Sequence, residues 1–143
     1  MTDINKLIAK AICQAQIASD AGKHRYEISP MKNRADASAT RYKYRVKEDF
    51  ILSALRMIRS YHHKSMFNYY CVEEADQNGY PSVVVYFDCK MPDGRCQVSF
   101  HTPLNKASDE LVKMCGSGRK TRWDKEIGGS RNACQAMIDY FNL

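Results

Sequence analysis

The stretch that decides the fold is Ser82-Val-Val-Val-Tyr-Phe-Asp-Cys-Lys90, near the middle of a chain of 143 residues. Val83 to Phe87 are β-branched or aromatic at every position, so an extended strand here would be apolar on both faces. A strand of that kind is typical of the centre of a sheet. The stretch therefore predicts a central β-strand.

Turn sequences flank this strand on both sides. Asn78-Gly79 precedes it and is a strong hairpin signal, while Met91-Pro92-Asp93-Gly94 supplies the next turn. Strand-length runs lie beyond the two turns, at Phe67 to Val72 and at Cys96 to Thr102. Together these segments predict a three-stranded antiparallel meander.

Two amphipathic helices are predicted before the meander. The first begins after Thr2 or Asp3, ends at Gly22 and carries an apolar row at three- and four-residue spacing: Ile4, Leu7, Ile8, Ala11, Ile12, Ala15 and Ala18. The second runs from about Val46 to Met66 with its own row: Phe50, Ala54, Leu55, Ile58, Tyr61 and His62. The apolar face of the first helix is wide enough to need covering, and this predicts a homo-oligomer.

Two short helices are predicted after the meander. Asn105 or Ser108 can cap the first, which continues to Cys115. Ser130 can cap the second, whose apolar face consists of Cys134, Met137, Ile138 and Phe141. Residues 1–143 are therefore predicted to form a single α+β domain.

The positive charge of the chain is concentrated in one stretch. The net charge is +6, and segment 23–47 has only Glu27 and Asp36 against eight basic residues: Lys23, Arg25, Lys32, Arg34, Arg41, Lys43, Arg45 and Lys47. Because the apolar periodicity is lost there, residues 23–45 are predicted to form a long basic connection between the first two helices. Such a surface suits an anionic partner.

Composition also bears on location and on metal binding. No apolar run approaches the roughly 18 residues that span a bilayer, and the N-terminal residues lack the pattern of a signal peptide. The protein is therefore expected in the cytoplasm, of a host cell if a phage encodes it, and not in a membrane. The cysteines lack zinc-site spacing and have apolar neighbours, so we expect reduced structural thiols and neither a metal nor a cofactor: Cys13, Cys71, Cys89, Cys96, Cys115 and Cys134.

The loop before the last predicted helix offers a place for an anion. Gly128-Gly129 stands directly before that helix, where backbone N–H groups and the helix dipole favour negative charge. Arg131 lies in the first helical turn, and Arg119 and Arg122 lie in the preceding polar loop. These residues predict a phosphate-binding cluster. The alternative is an ordinary capped helix beside a solvated basic loop.

The end of the third predicted strand offers a second contact point. Strand alternation places Phe100 on one face with Cys96 and Val98, and His101 on the other. If the first face is the core, Phe100 is buried there. At a strand end it can instead stack on a base, while His101 contacts a phosphate or a ribose. The sequence leaves both alternatives open.

No pattern typical of catalysis is found in the chain. The nucleophile-elbow pattern G-x-S-x-G and the P-loop pattern are absent. The paired carboxylates Glu48-Asp49 and Glu73-Glu74 are interpreted as solvated ends of elements. We therefore expect a binding protein rather than an enzyme.

The order of elements resembles that of phage anti-Thoeris sponge proteins of the first type. The similarity also lies in Val83 to Phe87, in Gln97 to His101 and in the arginine-bearing segment that ends at Arg131. Members of that family capture cyclic ADP-ribose isomers made by a bacterial immune system and do not cleave them. They are oligomers with pockets between subunits.

The resemblance implies roles for individual residues. Phe100 would stack the adenine of the ligand. The pyrophosphate would be held by Arg119, Arg122 and Arg131. The basic connection would close over the ligand or form a second anion site, through residues that include Arg25, Lys32 and Arg34.

The expected function is non-catalytic sequestration of a cyclic nucleotide immune signal, which would counter bacterial antiphage defence. One alternative is a small phage-type inhibitor that binds a nucleic-acid-guided defence enzyme by protein–protein contact. Another is a direct DNA or RNA binder, because basic and tyrosine residues alternate between residues 23 and 45.

Overall fold

The computed structural model describes residues 3–28, 34–61, 64–75, 79–92, 94–115 and 130–143, without the side chains of residues 21–28, 34–44, 130 and 131. Its elements are α1 (Ile4–Ile28), α2 (Arg34–Ser60), β1 (Phe67–Ala75), β2 (Pro81–Met91), β3 (Gly94–Pro103), a 3₁₀ helix (Leu104–Lys106), α3 (Asp109–Cys115) and α4 (Ser130–Phe141). The predicted α+β class is therefore confirmed.

The sheet is antiparallel with strand order β1-β2-β3, so the predicted meander and its central strand are confirmed. Tyr69 of β1 is paired with Phe87 of β2, and Val85 of β2 is paired with Phe100 of β3. Gly79, between β1 and β2, has a φ of 83°, a left-handed conformation that favours glycine.

The core lies between one face of the sheet and the helices. α1 packs against α2 and α4, and α4 also contacts β3. Phe87 and Phe100 meet edge to face in this core, with ring centroids 5.9 Å apart. Other fully buried members come from every layer: Ile8, Ile12, Ile51, Leu55, Val98 and Met137.

Most of the apolar face of α1 is covered within the chain itself. Ile8, Ile12 and Ala15 are each 0% exposed, because α2 and α4 pack on them. Leu7 of the same row is 40% exposed, so part of the face remains uncovered. The homo-oligomer stays a prediction.

Both N-terminal helices are longer than predicted. Gly22 does not end α1, which continues to Ile28, and α2 begins at Arg34 and ends at Ser60 rather than running from Val46 to Met66. The connection predicted at 23–45 is therefore wrong over most of its length, and residues 29–33 lie outside the described residues. The reason is physical: an apolar row marks only the part of a helix that packs on a core, whereas Ala, Arg and Lys favour helix without one.

Two of the predicted helix starts have the expected hydrogen bonds. Asp3 Oδ1 accepts the N–H groups of Asn5 and Lys6 at 3.0 and 3.3 Å. Ser108 Oγ accepts the N–H of Leu111 at 3.1 Å and so caps α3. In the described ranges, no helix is long and apolar enough to cross a membrane.

Candidate functional site

A polar cleft lies between α2 and the segment that follows β3. Its volume is about 620 Å³. The wall from α2 consists of Arg45, Glu48, Asp49 and Leu52, whose spacing places them on one side of the helix. The opposite wall consists of Asn105, Lys106, Ser108 and Glu110. The cleft therefore depends on how α2 meets the start of α3.

Glu48 fastens the two walls of the cleft together. Its side chain is only 7% exposed, and its two carboxylate oxygens each lie 3.3 Å from the backbone nitrogen of Ser108, which donates to them. Ser108 in turn caps α3. The interpretation of Glu48-Asp49 as a solvated pair is therefore wrong for Glu48, because the short helix α3 needs an acceptor at its start.

The charges of the cleft are mixed. Arg45, Lys106 and Asp49 are exposed at its surface. Glu110 accepts a hydrogen bond from Arg56 Nη2, in an ion pair whose two side chains are both about half exposed. Two of the three acidic side chains thus already have protein donors. The cations of the cleft belong to α2 and to the 3₁₀ helix.

Lys47 lies behind the cleft and joins α2 to the sheet. Its side chain is 3% exposed, and Nζ donates a hydrogen bond to the carbonyl oxygen of His101 at 2.8 Å. Burial lowers the pKa of Lys47 to about 8, because desolvation disfavours the charged form, and the neighbouring Glu48 opposes this shift. The amine holds the end of β3 against the helix.

The structure resolves the two alternatives for Phe100. Its side chain is 2% exposed and packs against Phe87, so it belongs to the core and is not available to stack on a ligand. The role implied for it by the resemblance is therefore wrong in this arrangement. His101 lies on the opposite face with an exposed side chain.

The other predicted site residues are not brought together by the described structure. Arg25 lies in α1, Arg34 begins α2 and Arg131 lies in the first turn of α4, but their side chains are not described. Lys32, Arg119 and Arg122 lie outside the described residues. The predicted phosphate-binding cluster therefore stays a prediction.

A polar cluster lies on the sheet face opposite the core helices. The rings of Tyr70 and Tyr86 stack with centroids 4.7 Å apart. Gln97 Nε2 donates to Asp88 Oδ1 at 2.9 Å and to the Tyr70 hydroxyl at 3.2 Å. Asp88 is only 5% exposed. These side chains are hydrogen-bonded or stacked with one another. Their shared face could have been predicted from the sequence, because they alternate with core residues along the strands.

Among the residues that the structure describes, no three His, Cys, Asp or Glu side chains come together as a metal site would require. Comparison of the chain with protein-family models, with curated proteins and with solved structures gave no match.

Proposed function

We propose that this protein binds a phosphate-bearing molecule of nucleotide size, without transforming it, in the cleft between α2 and α3. The observation that carries the proposal is a polar cleft of about 620 Å³ that is lined by Arg45, near the end of the basic segment 23–47. Ligand sites commonly have volumes of roughly 300–1,000 Å³. The cleft is thus of a suitable size, with a cation at its edge.

The charges of the cleft favour a defined orientation of the ligand. Glu48 and Glu110 accept hydrogen bonds from Ser108 and Arg56, which compensate part of their negative charge. A phosphate would then lie against Arg45, whose guanidinium group can donate two parallel hydrogen bonds to it. Asp49 lies one helical turn from Arg45 and would weaken the binding of an anion.

The ligand class proposed first is a cyclic nucleotide of the cyclic ADP-ribose type, which the protein would sequester. Two considerations support this class: the resemblance in the order of elements, and the basic stretch from residue 23 to residue 47, of which Arg45 lines the cleft. A pyrophosphate gains from additional positive charge within about one Debye length of roughly 8–10 Å.

Isothermal titration of the purified protein with cyclic ADP-ribose isomers tests the proposal. We expect Arg45→Ala to weaken binding by about tenfold or more, because a charge-assisted hydrogen bond contributes roughly 1.5–3 kcal/mol. Asp49→Asn should tighten binding, because it removes a repulsive charge. The matched control is Arg59→Ala on the same helix, about 21 Å further along, which should bind as the unchanged protein does.

Recovery of the ligand separates binding from catalysis. After denaturation of the complex, mass spectrometry should detect the unaltered ligand. The proposal fails if no nucleotide binds, if Arg45→Ala and Arg59→Ala lower the affinity equally, or if the recovered ligand is a hydrolysis product.

A second candidate function, direct nucleic-acid binding, is favoured by one further observation. The helical backbone of α2 places positions 34, 41 and 45, all arginine, within about 40° of one another around its axis, in a row roughly 16 Å long. A row of this kind suits a phosphate backbone. Affinity for short single-stranded DNA that falls steeply with salt, without affinity for nucleotides, would favour this function over the first.

A further inference from the structure

The six cysteines of the chain come together in pairs, and two of these pairs join residues that are far apart in sequence. Cys89 and Cys96 are direct partners in the antiparallel register of β2 and β3. Cys13 of α1 donates through Sγ to the carbonyl oxygen of Cys134 in α4, at 3.7 Å. All six are free thiols. The sequence contains no closely spaced cysteine motif, such as C-x₂-C, that would predict these pairs.

The third pair joins β1 to the C-terminal end of α3. Cys71 and Cys115 line the same cavity, where α3 contacts β1. Cys71 lies near the middle of β1, and Cys115 is the last residue of α3. The pair therefore connects β1 with α3, two elements between which β2 and β3 lie in the sequence.

Accessibility distinguishes this pair from the other two. Cys71 and Cys115 are partly exposed and line one cavity of about 210 Å³, together with Val83 and Val112. The remaining four cysteines are each 5% exposed or less: Cys13, Cys89, Cys96 and Cys134. A small-molecule oxidant dissolved in water can therefore reach the Cys71–Cys115 pair in the folded protein, whereas the other pairs require the core to open.

The two thiols are also chemically unequal. The hydrogen bond from Cys71 lowers the pKa of Cys115, against the opposing effects of burial and of the charge of Glu48. The same hydrogen bond raises the pKa of Cys71. Cys115 is therefore the more acidic thiol of the two and the expected attacking group, because a thiolate is the nucleophile in thiol–disulfide exchange.

We propose that Cys71 and Cys115 form a redox-active thiol pair, which a small disulfide such as oxidised glutathione converts into a disulfide bond between β1 and α3. The Cys115 thiolate attacks one sulfur of the oxidant and releases one glutathione thiolate. Cys71 then loses its proton and attacks the sulfur of Cys115, which releases the second. Two protein thiols are oxidised, and one molecule of oxidised glutathione is reduced to two of glutathione.

Thiol trapping of the folded, fully reduced protein tests this proposal. The protein is titrated with oxidised glutathione, quenched with an alkylating agent and mapped by mass spectrometry of its peptides. We expect the first product to retain four of the six thiols and to contain one disulfide, between Cys71 and Cys115. Its midpoint of thermal unfolding should rise by roughly 5–15 °C, because a disulfide restricts the unfolded chain.

Single variants identify the attacking sulfur. Cys71→Ala should accumulate a stable glutathione adduct on Cys115, because no second thiol resolves it. Cys115→Ala should react several-fold more slowly, at Cys71. Cys134→Ala changes one of the buried pairs and should leave the Cys71–Cys115 disulfide unaffected. Circular dichroism confirms that each variant is folded.

Two results would overturn the proposal. One is that all six thiols of the unchanged protein remain open to alkylation, after denaturation, at every ratio of oxidised to reduced glutathione. The other is that a buried pair, Cys13–Cys134 or Cys89–Cys96, is oxidised before Cys71–Cys115. Both results are measured on the unchanged protein, so they do not require any variant to fold.

Discussion

The two halves of α2 form one continuous helix but differ in what stabilises them. The half from residue 46 to residue 60 has an apolar row that is buried in the core: Ile51, Leu52, Ala54, Leu55 and Ile58. The half from residue 34 to residue 45 has no such row and is rich in alanine, arginine and lysine. Tertiary packing stabilises the first half, whereas the composition of the second favours a helix through intrinsic propensity.

Lys47 stands at the boundary between these halves and has features of both. It belongs by composition to the basic stretch, yet it is buried and bonded to the carbonyl oxygen of His101. The comparison shows that the role of a basic residue in this helix depends on its position relative to the core. Arg45 lines the cleft, and Lys47, two positions later, holds the sheet.

Truncation of a core residue in the packed half should have the largest effect. Leu55 is 0% exposed, so Leu55→Ala removes buried methyl groups and leaves a cavity. We expect the free energy of unfolding to fall by about 2–5 kcal/mol, measured by urea unfolding followed by circular dichroism. The control on the same helix is Arg56→Ala, which removes an exposed ion pair and should cost about 1 kcal/mol or less. Equal losses in the two variants would show that α2 does not pack as described.

The burial of Lys47 should make the free energy of unfolding depend on pH. The folded pKa of Lys47 is about 8, below its ordinary value of 10.5, so the unfolded chain binds more protons than the folded protein between these pH values. The free energy of unfolding should therefore rise with pH across this window, by up to about 3 kcal/mol from this group.

Lys47→Met isolates this contribution, because methionine retains the apolar stem without the charge. Urea unfolding at pH 7, 8, 9 and 10 should give a stability difference between the two proteins that changes in favour of the unchanged protein as pH rises. Other groups titrate equally in both proteins and cancel in the difference. A difference that stays constant with pH would contradict the burial of Lys47.

The smallest loss of stability is expected from an alanine-to-glycine substitution in the basic half of α2, compared with the same substitution in the packed half. Ala54→Gly removes a buried methyl group as well as helix propensity, because Ala54 is 0% exposed. Ala39→Gly in the basic half should cost only the propensity, about 1 kcal/mol or less. Thermal unfolding by circular dichroism measures both. An Ala39→Gly cost as large as that of Ala54→Gly would show that the basic half also packs on a core.

The sheet and the packed half of α2 could be predicted because their residues alternate or recur on one face against a core. Val83 to Phe87 predicted the central strand from local sequence alone, and Ser108 was one of two predicted caps of α3, the other being Asn105. The cleft could not be predicted, because it depends on Glu48 reaching a backbone N–H 60 positions away. The Cys13–Cys134 and Cys71–Cys115 pairs could not be predicted for the same reason, because each joins elements that are far apart in sequence.

The packing of α4 on α1 has a consequence for the order of folding. The α1–α2 and β1–β2–β3 contacts join consecutive elements, whereas the contact between Cys13 and Cys134 spans 121 positions. Closing so long a loop costs more chain entropy than closing a hairpin, and contacts of this kind slow folding. We therefore expect the helical hairpin and the meander to form first, and the docking of α4 to be the slow step that completes the core.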